Sequence, residues 1–102
     1  MLEFPRIKIN EKSLISLAQK YQITELMLFG SVLRDDFSLQ SDIDVLISFS
    51  PEVHYSYFDL LAIRDAFEKK LQHPVDLVER SSLRNPFRRE KILSTAFPVY
   101  AT

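Results

Sequence analysis

The sequence predicts an α/β domain of the α+β kind, with helices flanking a mixed β-sheet. Residues 42–49 alternate in polarity, which is the period of a strand. A helix of about 15 residues separates the second and third predicted strands, the length of a crossover between parallel neighbours. Only about a dozen residues join the first two strands, so these two are expected to pair antiparallel.

Composition supports one domain spanning residues 1–102, since 46% of residues are hydrophobic and 26% are charged. The absence of cysteine excludes disulfides, a cysteine nucleophile and cysteine-ligated zinc. A net charge of −1 offers no basic field for nucleic acid, so no direct nucleic-acid binding is expected. The first residues do not form a basic segment followed by an apolar one, as a leader sequence would. No apolar stretch is long enough to span a membrane. We therefore expect no membrane contact and a cytoplasmic location.

The first half of the chain is predicted as a helix, a strand and a turn. Asn10 is a suitable N-cap, and the apolar residues after it recur at helical spacing, which predicts a helix over residues 11–21. Residues 24–29 are short and apolar, typical of a buried strand. Residues 31–36 are expected to form a short helical turn.

The second half continues with strand, helix, strand, helix and strand. Residues 42–49 form the second strand, and Ser56 can cap a helix that His73-Pro74 ends, because the residue before a proline avoids the α region. Residues 75–79 are the third strand. Asn85-Pro86 opens a helix that runs to about Ala96, and residues 97–101 form a closing edge strand.

Gly30 is the single glycine of the chain, where roughly seven are usual for this length. A chain that otherwise dispenses with glycine is expected to keep this one for a positive φ or for the close approach of a ligand. One glycine also excludes a P-loop and a dinucleotide-binding fingerprint, which need several.

Asp42 and Asp44 are two residues apart on a predicted strand, so both carboxylates point to one face with Cα atoms roughly 6.6 Å apart. Two such charges repel unless a cation lies between them, and their oxygens suit magnesium or manganese. Taken alone, the pair is more typical of a solvated acidic edge.

Asp76 lies inside the third strand, where a carboxylate is costly to bury unless it is paired or bound to a cation. If the second and third strands are parallel neighbours, Asp76 falls beside Asp42 and Asp44. The antiparallel pairing brings Gly30 and Ser31 to the same place, where free N–H groups and a hydroxyl can cradle phosphate. The combination predicts metal-assisted phosphoryl or nucleotidyl transfer.

These residues resemble a known signature: Gly30-Ser31, ten residues, Asp42-Ile43-Asp44, and the later Asp76. They are similar to the DNA polymerase β-type nucleotidyltransferase superfamily, and most similar to its minimal nucleotidyltransferases, which are domains of about this length. The resemblance extends from Leu26 to Asp76 in motif and on to Tyr100. It implies a mixed sheet flanked by helices.

The resemblance also implies roles for individual residues. Asp42 and Asp44 would ligate two Mg²⁺ ions, and Asp76 would complete the metal site and help deprotonate the acceptor. The remaining candidates, expected to bind the ATP substrate, are Gly30, Ser31, Arg34 and Ser41. In the turn after Ser31, Leu33 and Asp35 stand where alanine and glycine are customary.

Family members of this size are commonly encoded beside a HEPN-type ribonuclease toxin and act as its antitoxin. Some are similar to enzymes that attach AMP to a toxin tyrosine. The resemblance therefore implies transfer of AMP from ATP to a hydroxyl of a HEPN-type toxin protein, in a hetero-oligomer. The alternative is a catalytically idle antitoxin that neutralises by binding alone. Transfer to a small molecule or to a nucleic acid is disfavoured because the chain has no second domain to shape the acceptor pocket.

Some polar and aromatic residues have two interpretations. The basic residues of 80–91 can contact ATP phosphates or an acidic or RNA partner, or form a solvated helix face. They are Arg80, Arg84, Arg88, Arg89 and Lys91. The aromatic segment 53–58 can contact a partner or adenine, or simply pack. His54 is expected at the surface, and His73 is expected only to precede the proline.

Overall fold

A computed structural model describes residues 1–102 as three α-helices and six strands. The strands are β1 (Leu2–Glu3), β2 (Lys8–Ile9), β3 (Ile23–Phe29), β4 (Ile43–Phe49), β5 (Val75–Glu79) and β6 (Phe97–Ala101). The helices are α1 (Glu11–Lys20), α2 (Tyr57–Leu71) and α3 (Pro86–Thr95), with short 3₁₀ turns at Gly30–Leu33 and Arg80–Ser82. No helix is long and apolar enough to span a membrane.

The main sheet has four strands in the order β5-β4-β3-β6. β4 and β5 run parallel, whereas β3 pairs antiparallel with both β4 and β6. The predicted mixed sheet is therefore confirmed, including the parallel crossover through α2. β6 is an edge strand, as predicted, and Pro98 lies in it.

Two apolar clusters hold the sheet between helices. The larger one joins α1 and α2 to residues such as Ile43, Val45 and Ile47 of β4. The smaller one contains Phe29 and Leu46 from the sheet, with Leu83 and Ile92 from the region of α3. Because side chains alternate along a strand, Leu46 shares its face of β4 with Asp44. The smaller cluster therefore holds α3 on the sheet face that carries Asp44.

The predicted helix caps are confirmed. The side chain of Asn10 accepts hydrogen bonds from two backbone N–H groups of α1, and Asn85 does the same for α3. Ser56 and Asp59 form a capping box at the start of α2. These caps satisfy N–H groups that have no partner inside a helix.

The structure differs from the prediction in two features. The hairpin of β1 and β2 was not predicted, because strands of two residues carry almost no periodic signal. α2 ends at Leu71, two residues before His73, with Gln72 in the left-handed conformation at φ 52°. The left-handed residue, rather than the proline, ends the helix.

Candidate active site

Three neighbouring strands bring the predicted carboxylates to one end of the sheet. Asp44 lies opposite Phe29 on β3 and opposite Asp76 on β5. Gly30 follows Phe29 directly, so the Gly30–Leu33 turn begins beside Asp44. The predicted meeting of Asp44, Asp76 and the Gly30-Ser31 turn is therefore present in the fold.

Gly30 has a φ of +75°, which a residue with a side chain rarely adopts. A Cβ atom added there would overlap Oδ2 of Asp44 and lie 3.2 Å from its Cγ. The glycine thus has the positive φ that the sequence suggested, while the close approach of a ligand stays a prediction. The group that comes close is a carboxylate of the protein itself.

Asp44 is the half-buried member of the three carboxylates. Its pKa is raised to about 6, mainly by burial and further by the charges of Asp76 and Asp42. Arg34 and Arg88 act in the opposite direction. Asp44 therefore lies within electrostatic range of two carboxylates and two guanidinium groups.

The sequence places Asp76 inside a strand, where burial of a carboxylate is costly, but the side chain avoids that cost. Both Asp76 and Asp42 are exposed. The reason is that β5 is an edge strand, so its N-terminal end is open to solvent. The cost of desolvation falls instead on Asp44, which lies on the inner strand β4.

The chemistry of the three side chains fits a divalent cation, since they offer hard oxygen ligands and repel one another without one. No group of three or more acidic or histidine side chains is already placed to hold a metal ion. Mg²⁺ commonly takes only one or two carboxylates and completes its shell with water and substrate phosphate. Asp42, Asp44 and Asp76 suit that mode of binding, which stays a prediction.

Only some of the predicted nucleotide-binding residues lie beside Asp44. Ser31 lies in the 3₁₀ turn and is partly exposed. Arg34 follows the turn, and its Nε donates to Oδ1 of Asp36 at 3.1 Å. Oγ of Ser41 accepts a hydrogen bond from the backbone N–H of Ser38 at 3.1 Å, inside the loop before β4. Gly30 and Ser31 are therefore next to the carboxylates, while Ser41 is engaged within its loop.

His73 has a contact that the sequence did not predict. Its Nε2 is hydrogen-bonded to the carbonyl oxygen of Ser41, the residue before Asp42. Its ring also lies 5.0 Å from that of Phe37, centre to centre. His73 thus ties the loop before β5 to the loop before β4 and so supports Asp42 from outside the carboxylate cluster. No local pattern signals a contact across 32 residues.

A cavity of about 650 Å³ opens beside Asp42 and Asp76, along the free edge of β5. Tyr57, Leu60, Leu61 and Arg64 of α2 line one side. Arg88 of α3 lines another side. An apolar wall, the three carboxylates of Asp42, Asp76 and Glu79, and two guanidinium groups therefore meet in one cavity.

The basic residues of 80–91 do not form a single face. Nη1 of Arg80 contacts both carboxylate oxygens of Glu25, at 2.8 and 3.0 Å. Arg84 precedes α3 and lines a groove with Arg89. Only Arg88 of this set reaches the cavity beside the carboxylates. Arg84 therefore does not share a helix face with Arg88 and Lys91, because the helix begins only at Pro86.

The aromatic segment 53–58 divides between packing and exposure. Tyr55 packs against Phe49 with ring centres 4.9 Å apart, and its hydroxyl donates to the carbonyl of Tyr21 at 2.9 Å. Tyr57 and Phe58 are 70% and 80% exposed. His54 is exposed, as expected. Both residues begin α2, and Tyr57 lines the cavity.

A small mixed sheet with a glycine-serine turn facing acidic residues on the neighbouring strands is the architecture of a nucleotidyl-transfer domain. The model of the nucleotidyltransferase domain family matches residues 11–96. The chain belongs to this family. The match covers every element from α1 to α3.

Individual relatives agree with this assignment. A candidate protein adenylyltransferase of Methanocaldococcus jannaschii is 33% identical over 76 residues, which are 74% of this chain and 76% of the relative. A solved candidate minimal nucleotidyltransferase is 30% identical, with a TM-score of 0.72 over 86% of this chain and 87% of that one. Its likeness confirms the minimal nucleotidyltransferase fold.

A more distant likeness concerns a toxin–antitoxin complex. The solved structure of a tri-AMPylated Shewanella oneidensis HEPN toxin with its MNT antitoxin matches with a TM-score of 0.66 and 19% identity. The match covers 90% of this chain and 70% of that one. At this identity the likeness shows the shared fold.

Proposed function

We propose that this chain transfers AMP from ATP to a hydroxyl group of a protein partner, with Mg²⁺ as cofactor, and acts as antitoxin to a HEPN-type toxin. The family and the candidate adenylyltransferase relative support nucleotidyl transfer. The AMPylated toxin in the Shewanella oneidensis complex supports AMP as the group and a HEPN protein as the acceptor.

One observation carries the proposal: Asp44 lies between Asp76 on β5 and the Gly30 turn after β3. The three features span adjacent strands at the same end of the sheet. In-line transfer needs a leaving group and an attacking group on opposite sides of the reacting phosphorus. The Gly30-Ser31 turn provides the side for the leaving pyrophosphate, and Asp76 provides the side for the acceptor.

The chain's own residues then have separate tasks. The free N–H groups and hydroxyl of Gly30-Ser31 hold the β- and γ-phosphates. Asp76, exposed beside the cavity, takes the proton of the acceptor hydroxyl as its oxygen forms a bond to the α-phosphorus of ATP. The bond from that phosphorus to the bridging oxygen breaks, and pyrophosphate leaves. Bound Mg²⁺ would neutralise the charge of the carboxylates and of the attacking and leaving oxygens.

The test compares the wild-type chain with Asp44→Asn in the native host. We expect the partner that copurifies with the wild type to be heavier by one or more adenylyl groups in intact-mass spectrometry. Asp44→Asn should lower transfer by about 100-fold or more, because it removes a charged ligand of the metal. Glu52→Gln is a matched control, since Glu52 is an exposed carboxylate in the turn after β4.

The outcomes separate transfer from binding. Modification with the wild type and Glu52→Gln, but not with Asp44→Asn, supports the enzyme. An unmodified partner that binds all three forms equally would refute AMP transfer and support neutralisation by binding alone. One observation favours that alternative: Asp36 already engages Arg34, the guanidinium group after the Gly30-Ser31 turn.

A further inference from the structure

The first turn of α3 brings one arginine to the carboxylate end of the sheet. Leu83 and Ile92 pack against Phe29 and Leu46, which fixes α3 on the face that carries Asp44. The side chain of Asn85 accepts hydrogen bonds from the N–H groups of Phe87 and Arg88. The backbone of this turn is thus anchored at both ends, and Arg88 faces the cavity that Asp42 and Asp76 line.

Arg88 differs from the other arginines near the site because it has no carboxylate partner. Arg34 pairs with Asp36, Arg64 with Asp65 and Arg80 with Glu25. Arg88 forms no ion pair with any acidic residue of the chain. Its guanidinium group is therefore available to a ligand.

The position of Arg88 suits a phosphate that lies over Asp42, Asp44 and Asp76. The sheet contributes three carboxylates at this end. It contributes no cationic side chain to face the anionic oxygens of a bound nucleotide. A guanidinium group offers a planar fork of donors that matches two phosphate oxygens. α3 supplies this group from outside the sheet.

We propose that Arg88 binds the phosphate oxygens of the nucleotide at the carboxylate end of the sheet. This inference rests on the proposed nucleotidyl transfer and adds a residue from α3 to it. Arg88 would hold the α-phosphate in place while Gly30-Ser31 holds the β- and γ-phosphates. The site would then take the nucleotide between the turn after β3 and the first turn of α3.

The test measures binding of α,β-methylene-ATP with Mg²⁺ by calorimetry, because this analogue cannot release pyrophosphate and needs no acceptor. Arg88→Ala should weaken binding about tenfold or more, the loss of a charge-assisted hydrogen bond. Arg89→Ala is the matched control: Arg89 is also exposed and in the same turn, but it lines a different groove. It should bind within about twofold of the wild type.

Arg88→Lys tests the chemistry of the contact. It should bind better than Arg88→Ala and more weakly than the wild type, since lysine keeps the charge but not the fork. If Arg88→Lys binds the nucleotide no better than Arg88→Ala, the loss of affinity comes from packing, and the proposed contact of Arg88 with phosphate is overturned. Circular dichroism of each variant confirms that α3 is folded.

The inference and the proposed function fail in different ways. Wild-type protein that binds no nucleotide would overturn both. Wild-type binding that Arg88→Ala leaves unchanged would overturn the role of Arg88 alone, while Asp44→Asn still tests the transfer. Equal losses in Arg88→Ala and Arg89→Ala would indicate general attraction by a basic helix, and would likewise overturn a specific contact.

Discussion

Gly30 and Asp44 act as a pair, although they lie 14 positions apart in the chain. The carboxylate occupies the space that any other residue at position 30 would need for its Cβ. The positive φ of Gly30 begins the 3₁₀ turn that follows β3 directly. The single glycine therefore sets both the shape of the turn and the place of the carboxylate.

Gly30→Ala should destabilise the fold and displace Asp44. The left-handed backbone costs about 1 kcal/mol with a Cβ present, and relief of the overlap with Asp44 adds to this. We expect the free energy of unfolding to fall by about 1–3 kcal/mol. Urea unfolding followed by circular dichroism measures the loss.

Ser31→Ala is the control for the same turn. Ser31 has no positive φ, and its hydroxyl forms no hydrogen bond within the chain. The free energy of unfolding of Ser31→Ala should therefore stay within about 0.5 kcal/mol of that of the wild type. Its nucleotide binding should fall instead. Gly30→Ala as stable as the wild type would show that Asp44 can turn away at little cost.

Sequence and topology were sufficient to predict part of this site. The spacing of Gly30-Ser31 to Asp42 and Asp44 predicted their meeting, because strand direction and period decide it. The pairing of Arg80 with Glu25 was not predictable, since it joins residues 55 positions apart. The sequence named Arg88 among several basic candidates but could not single it out, because its approach depends on how Leu83 and Ile92 pack α3 on the sheet.

At the scale of elements, α2 is well capped at one end and strained at the other. Ser56 and Asp59 close a capping box at its start. Gln72 ends it in the left-handed conformation with φ 52°, where a side chain is unfavourable. The helix positions the loop that carries His73 and Pro74 into β5, so its end affects the register of Asp76.

Gln72→Gly should raise the free energy of unfolding by about 0.5–1 kcal/mol, because glycine adopts the left-handed conformation without steric cost. Gln19→Gly is the matched control, since Gln19 lies inside α1. There the same change should lower stability by about 1 kcal/mol. Thermal unfolding of both variants measures these changes. A loss of stability in Gln72→Gly would show that the side chain of Gln72 stabilises the fold by more than its left-handed backbone costs.

Element prediction worked where a cap and a period agreed. Asn10, Ser56 and Asn85 each mark a helix start within one residue. The β1–β2 hairpin was missed because pairing of Leu2 with Ile9 depends on packing against the finished core. The left-handed Gln72 was missed because nothing in a glutamine side chain favours that conformation.

At the scale of the whole molecule, charged side chains are unevenly distributed, although the net charge is only −1. Carboxylates gather at the end of β4 and β5, and Arg88 of α3, which has no ion pair, lines the cavity beside them. Opposite charges at one edge favour a ligand that carries both a divalent cation and phosphate. Without such a ligand, burial of the charge of Asp44 and its repulsion by Asp76 and Asp42 lower the stability of the fold.

The pH dependence follows from the pKa of Asp44, which is about 6 in the fold against 3.8 ordinarily. Between these values the folded state binds more protons than the unfolded state, so the stability that depends on Asp44 falls as pH rises through that range. The loss is complete only about one pH unit above the pKa of the folded state. Asp44→Asn lacks this loss, because its amide is uncharged at every pH.

The free energy of unfolding of Asp44→Asn should therefore gain about 1 kcal/mol on that of the wild type between pH 5 and pH 7.5, after allowance for solvent screening of a half-exposed group. Adding Mg²⁺ at pH 7.5 should raise the Tm of the wild type and leave that of Asp44→Asn unchanged, since a cation that binds the folded state stabilises it. Thermal scans at both pH values, with Ca²⁺-free buffer and Glu52→Gln as control, measure each shift. A Tm rise of equal size in Asp44→Asn would place the cation elsewhere and remove Asp44 from the metal site.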